Sequence, residues 1–436
     1  MYNGFQKCSF GELLKEKVKN GIYKSKTFHG SGLKIVNMGE LFRYPRLYDV
    51  DMKHIMVTEK EKEKFLLKNG DLLFARRSLT PEGAGKCCIV HDIESEMVFE
   101  SSLIRARPDC KKVNPYFLYY YFSSHLGIYL LYTIRRQVAV SGITGTDLMK
   151  LVLDIPPLSE QQAIAHILGT LDDKIELNRR QNATLEAMAQ AIFKEWFMDF
   201  GPVRAKMEGR QPEGMSREIA DLFPDRLDDE GKPEGWEWAV LSDCCEINPK
   251  RVLQKNKYAS YLDMSNMPTI NALPHKWNMR NFTSGMKFMN GDTLIARITP
   301  CLENGKTAFV DFLKNGEVGW GSTEYIVLRP KANISPFWGY LLSKTDEFRK
   351  FAIQSMTGTS GRQRVQVDQL ACFQIVKAPD TIHNIVKIQF DSIVRKLSKN
   401  RNEANILIDI RDTLLPKLIS GELRVPDAEK MVADIV

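Results

Sequence analysis

Between Ile164 and Trp196 the chain places Ile164, Leu168, Leu171, Ile175, Asn178, Asn182, Leu185, Ala189, Ile192 and Trp196 in alternating steps of four and three. A shift of 222 residues finds the same steps at Val386, Phe390, Ile393, Leu397, Asn400, Ala404, Leu407, Arg411, Leu414 and Leu418. Spacing of this kind predicts two long helices that meet along a coiled-coil seam, the alternative being that each packs only on its own globular domain. Pro156 and Pro157 close the strand-like run before the first helix. Ser159 is placed to cap it, with Gln162 completing a capping box. Helices of about 38 residues are roughly 57 Å long. Packed antiparallel, they would bring Asn178 and Asn400 together near their midpoints, where a buried polar pair fixes register at some cost in stability.

The segments before each helix also repeat, about 220 residues apart. "FLLKNGDLLFARRSLTPEGAGKCCIV" (Phe65 to Val90) is echoed by "MKFMNGDTLIARITPCLENGKTAFV" (Met286 to Val310), and "SSLIRARPDCKKVNPYFLYYYF" by "STEYIVLRPKANISPFWGYLLS". The shared skeleton is Asn-Gly-Asp before a strand, an Arg, a turn ending in Gly-Lys, a second strand, and a helix opening on Pro. Asn-Gly tolerates positive φ at both residues and reads as a hairpin turn. The fold class expected is α/β (α+β): two heads of mixed and antiparallel strands, joined by two long helices in an antiparallel coiled coil, with a pseudo-twofold internal repeat. The boundaries read as 1–155 for the first head, 156–200 for the central helix, 201–235 for a linker rich in Gly, Pro and mixed charge, 236–378 for the second head, 379–424 for the second helix and 425–436 for a tail.

Composition narrows the chemistry. At 436 residues and 43% hydrophobic the chain has room for two ordinary cores, and its net charge of +7 leans towards a polyanionic partner. The eight cysteines lack C-x-x-C spacing and no histidine joins them in zinc-ligand order, so no metal site is expected and reduced thiols in a soluble cytoplasmic protein are. No apolar run is long enough to span a membrane. "NPYF" (Asn114 to Phe117) is a fragment of the motif that holds a flipped adenine in methyltransferases, but its repeat partner "SPFW" (Ser335 to Trp338) makes both read as helix caps. "PCLENGKT" (Pro300 to Thr307) ends like a phosphate-binding loop, yet its first glycine is replaced by Pro300 and a strand follows, so it reads as a turn. No catalytic set emerges.

Two related heads held apart by a rigid spacer suit a periodic ligand, and duplex DNA read as two half-sites is the obvious one. The sequence closely resembles the specificity subunits of Type I restriction–modification systems. The resemblance covers essentially the whole chain and is strongest in "IPPLSEQQAIAHILGTLDDKIELNRRQNATLEAMAQAIFKEWF" (Ile155 to Phe197), the paired N-G-D-x-L-x-A-R segments and "LLPKLISGEL" (Leu414 to Leu423). The second helix departs from the pattern, starting "KAPDTIHNIVKIQFDSIVRKL" without the P-P-L-x-E-Q opening. The resemblance implies that each head is a target recognition domain for half of a bipartite, asymmetric site. It also implies that the paired helices set the gap between the half-sites. Two copies of an adenine-N6 methyltransferase subunit and a restriction and translocase subunit are the implied partners. S-adenosylmethionine, ATP and magnesium are then needed only by those partners, and the chain itself catalyses nothing. A coiled-coil scaffold without specific DNA recognition is the competing reading.

Base reading requires loops that present Arg, Lys, Ser, Thr, Asn and Gln to the major groove. In the first head these are Arg76, Arg77, Ser78 and Lys86, with Arg135, Arg136, Gln137, Ser141 and Thr144. In the second they are Arg297, Thr299 and Lys306, with Thr359, Ser360, Arg362, Gln363 and Arg364. Arg76 and Arg297 follow buried-looking strands, which leaves a structural role open for each. The spacer seam is assigned to Ile164, Leu168, Leu171, Ile175, Asn178, Leu185, Leu397, Asn400, Leu407 and Leu414.

Overall fold

The computed structural model describes residues 4–136, 141–359 and 361–433. It divides into two compact units, Met1–Lys174 with Ile406–Val436, and Ile175–Asn405.

In the first unit the strands Leu72–Ala75 and Cys87–Val90 lie at the centre of a five-stranded sheet. Its order is Lys19–Asn20, Leu103–Ala106, Leu72–Ala75, Cys87–Val90, Arg46–Leu47. Only the last pair is parallel. Leu72, Leu73, Phe74 and Ala75 are all buried, without the alternation of a half-exposed strand, because both faces of the sheet are covered. Phe74 meets Phe10 and Phe122 edge-to-face, the latter on the helix Pro115–Ser123. Leu73 and Ala75 point the other way, into a core shared with Ile35, Val36, Val98 and Phe99. That second layer is the sheet His54–Ile55, His29–Val36, Met97–Phe99.

The second unit repeats the plan. Its main sheet runs Cys245–Ile247, Tyr325–Pro330, Thr293–Ala296, Thr307–Phe309, all antiparallel, under the helix Pro336–Lys344. Its second sheet runs Asn278–Asn281, Tyr258–Leu262, Gly319–Gly321, Met286–Phe288. Asn114 and Ser335 cap the paired helices through their side chains, accepting from the backbone N–H groups of Tyr116 and Phe337. The loop through Pro300 turns between two antiparallel strands, with no helix after its lysine. The Asn-Gly dipeptides behave differently from the expected hairpins. Gly291 adopts positive φ, and its turn carries the chain from Met286–Phe288 in one sheet to Thr293–Ala296 in the other. In both units the next residue explains the turn. Asp71 and Asp292 accept from the backbone N–H groups of Lys68 and Met289, three residues back, and close it from within.

Two helices span Leu158–Phe197 and Asp380–Ser420. The first begins two residues earlier than a Ser159 cap implies, because the N–H groups of Glu160 and Gln161 both reach the Pro157 carbonyl. Ser159 therefore lies inside the first turn, and it is Gln161 that folds back, donating to the Pro156 carbonyl at 2.8 Å. Within the second unit the two helices run antiparallel: Phe197 stacks on His383, while Asn182 donates to the Leu397 carbonyl at 3.1 Å. The asparagine pairing is displaced by one turn from expectation. Asn400 donates to Asn182 at 2.9 Å and to Gln181 at 3.2 Å, and the buried amide nitrogen of Asn178 has no partner among the described residues. Ile175, Asn178, Leu397 and Asn400 are buried there and Leu185 is half-buried. Within the first unit Ile164, Leu168, Leu171, Leu407 and Leu414 are buried, and Arg411 donates to Asp172 at 2.7 Å. Among the described residues no helix is long and apolar enough to cross a membrane, and the cysteines are all free.

Candidate nucleic-acid interface

The two candidate loops of the first unit, distant in sequence, are stitched together by backbone. Arg77–Ser78 pairs antiparallel with Ser141–Gly142, the Ile143 N–H donates to the Arg76 carbonyl at 3.0 Å, and Arg136 exchanges backbone bonds with Gly142. Arg135 strengthens the junction, donating to the Ala84 carbonyl at 2.9 Å while stacking over Tyr132. Ser141 is buried, Ser78 accepts from the Thr80 N–H, and Thr144 caps the short helix Gly145–Met149. Arg76 is half-buried and lies 3.4 Å from the Ser101 carbonyl. Arg77, Lys86 and Arg136 remain exposed. The Lys86 ammonium lies over the Phe42 ring, and Arg136 pairs with Asp147 at 2.7 Å. Hydrogen bonds from Thr144 and Arg136 hold the Asp147 carboxyl below its ordinary value. Gln137 lies outside the described residues.

The second unit joins the corresponding loops. Arg364–Val365 pairs with Met356–Thr357, Thr299 and Gln363 exchange two hydrogen bonds, and the Val365 N–H donates to the Arg297 carbonyl at 2.9 Å. Here most of the charge is turned inward. Arg364 grips Glu324 with Nε and Nη2 at 2.9–3.0 Å, and this bond raises its pKa. Arg297 approaches the same carboxylate at 3.9 Å, and Lys306 donates to the Met264 carbonyl at 2.8 Å. Thr359 and Arg362 are exposed, and Ser360 lies outside the described residues. Glu324 escapes a sequence reading because it answers an arginine 40 residues along the chain, whereas Asp147 carries a local signal, three residues after the capping Thr144, that does not by itself point to Arg136.

At the far end of the strand that leads into each loop pair lies a buried ion pair built from the repeated motifs. Arg107 donates to both oxygens of Asp71 at 2.7 Å. Arg329 and Arg251 converge on Asp292 at 2.6 and 2.7 Å. These join the Asn-Gly-Asp turn to the Arg-Pro strand end in both copies, which gives the two motifs a common structural reason.

Residues 4–187 match the family model described as the Type I restriction modification DNA specificity domain. The HindI specificity subunit of Haemophilus influenzae is 26% identical over 408 residues, covering 83% of this chain and 88% of that one. The MjaIX specificity subunit of Methanocaldococcus jannaschii is 25% identical over 338 residues, 71% of this chain and 69% of its own. The EcoAI specificity subunit of Escherichia coli is 39% identical over a shorter stretch of 139 residues, 30% of this chain and 23% of its own. Among solved structures, the S subunit of a Type I restriction–modification system from M. genitalium matches with a TM-score of 0.56 at 15% identity, covering 96% of this chain and 97% of that one, which is a likeness of fold.

Proposed function

The chain belongs to the specificity subunits of Type I restriction–modification systems, and from that premise we propose that it reads a bipartite, asymmetric site on duplex DNA. The observation that carries the reading is the same construction in both units: two loops far apart in sequence are tied by backbone pairing into one polar edge, Arg77–Ser78 to Ser141–Gly142 in the first and Ile298–Thr299 to Gln363–Arg364 in the second. The side chains on those edges differ between the copies, so the two halves of the target differ as well. Arg77, Lys86, Arg136 and Arg362 are the side chains free enough to reach a groove or a phosphate. Arg135, Arg297, Arg364 and Lys306 shape the loops that carry them.

In this reading the chain is a non-catalytic, cytoplasmic subunit that places two adenine-N6 methyltransferase subunits and a restriction and translocase subunit on the target. S-adenosylmethionine, ATP and magnesium serve those partners. The test is a genome-wide map of N6-methyladenine in cells expressing this chain with its methyltransferase subunit, against cells lacking the chain. A split, asymmetric motif present only with the chain is the expected result. A stable complex that yields no motif would sink the reading in favour of a protein-binding scaffold.

A further inference from the structure

In the second unit the loops singled out by sequence spend most of their cationic side chains on Glu324 and on backbone carbonyls, which leaves open what reads the second half-site. We propose that the reading element there is the two-stranded ribbon formed by Tyr258–Leu262 and Asn278–Asn281, with Asn278 and Arg280 meeting base edges and Lys255 and Lys257 gripping phosphates. This rests on the DNA-reading function proposed above.

Asn278–Asn281 is the edge strand of its sheet, and all four of its residues are exposed. A ribbon of this width fits the major groove of B-DNA. The side chains of Asn278, Lys255 and Lys257 form no hydrogen bond or ion pair among the described residues, whereas most of the neighbouring arginines do.

Alternation along a strand puts Asn278 and Arg280 on one face, and there the Arg280 guanidinium lies 4.4 Å from the Tyr261 ring centroid, with Tyr261 in turn 4.4 Å from Trp320. The guanidinium is thus oriented before any ligand arrives, which lowers the cost of ordering it. Arg bidentate to guanine and Asn bidentate to adenine are the pairings such a strand offers.

The lysines lie at one end of the ribbon, held by reciprocal backbone bonds of 2.8 Å between Asn256 or Lys257 and Phe282. Of the acids that border the ribbon, Asp263 accepts from both donors of Ser265 and Glu317 from both donors of Ser260. A small core of Leu253, Ala259, Phe282 and Trp320 fixes the ribbon to its unit. The strand of the first unit that corresponds to Asn278–Asn281 is the two-residue edge strand His54–Ile55, which carries no arginine, so the ribbon is a reading device of the second unit alone.

The experiment uses the full chain in complex with its methyltransferase subunit. It is offered duplexes with about 30 randomised base pairs, roughly three helical turns, and the bound pool is sequenced. The doubly substituted Asn278→Ala, Arg280→Ala chain is expected to keep the first half-site sharp, which shows that it is folded. It should lose a preference of roughly 5- to 150-fold at one or two positions of the second half-site. Lys255→Ala with Lys257→Ala should leave both half-sites intact and reduce the slope of log affinity against log salt by about 2. If the Asn278→Ala, Arg280→Ala pool stays sharp in both halves while Arg362→Ala blurs the second, the ribbon is not the reader. A wild-type pool without any motif would overturn the DNA-reading function itself, and the ribbon with it.

Discussion

Asp71 has almost no contact with solvent, and both its oxygens are taken by Arg107. A carboxylate so placed is stabilised only while its partner stays. Removing one member of a buried pair costs about 3–5 kcal/mol, because the other charge is left without compensation. Arg107→Leu should therefore lower the unfolding free energy by about that much in urea titrations. Arg107→Lys, which keeps the charge and loses the bidentate fork, should fall between the two; equal stability of all three would show the pair to be inert. His383 makes a different acid-side statement. Burial against Phe197 lowers its pKa from 6.5 to about 4. Between those values the unfolded chain binds a proton that the folded one refuses. The contribution is thus complete above pH 6.5 and is lost as pH falls towards 4, reaching about 3 kcal/mol at the acid end. His383→Phe should flatten that part of the stability profile, measured as urea midpoints at pH 7.5 and about pH 5; a profile that keeps its slope would remove His383 as the cause.

At the scale of elements, the long helices raise the question of what a buried asparagine contributes. Asn400 donates to two side chains across the seam, while the Asn178 amide nitrogen, equally enclosed, meets none among the described residues. Replacing the first by Leu strands the acceptors of Gln181 and Asn182 and should cost about 1–3 kcal/mol. Replacing the second removes an unmet donor and should be neutral or stabilising by about 1 kcal/mol. Thermal unfolding of Asn178→Leu and Asn400→Leu in the full chain decides it, and equal losses would mean that the seam is tolerant of polarity at both places. The same pair marks how far a sequence reads. Heptad spacing tells which residues of a helix face a partner, and most of those positions are buried in both units, the rest half-buried. It does not give the axial stagger, which depends on contacts made by other elements. Tyr340 binding Glu186 is one such contact, across 154 residues of chain. The repeated Asn-Gly-Asp and Arg-Pro motifs were likewise visible, but not that they bind each other. Glu324 beneath Arg364, 40 residues away, and the ribbon at Asn278–Asn281 left no periodic signal, because a short polar edge strand has no alternation to display.

For the molecule as a whole, a net charge of +7 is the small remainder of 61 basic against 54 acidic side chains, and where the remainder sits decides what it does. Arg107 and Arg411 in one unit and Arg401 in the other are neutralised within their own units by Asp71, Asp172 and Asp311, and Arg251 and Arg329 share Asp292. They add to the formal count and little to an outside field. The exposed cations of the loops and the ribbon add to both. Binding to duplex DNA should then be strongly salt-dependent: about 6–10 phosphate contacts correspond to a loss of about 10³–10⁵ in affinity between 50 and 200 mM salt. Charge removal should sort into two classes in that titration. Arg77→Ala or Lys86→Ala should each lower the slope of log affinity against log salt by about 1, with the sequence preference kept where the contact is to phosphate. Substituting Arg411 removes the same formal charge and should leave the slope where it was, although it destabilises the unit that holds it. A slope that tracked net charge alone, falling equally for Arg411 and for Lys86, would mean that DNA is held by a diffuse field, and the loops would lose their claim to be the contact surface.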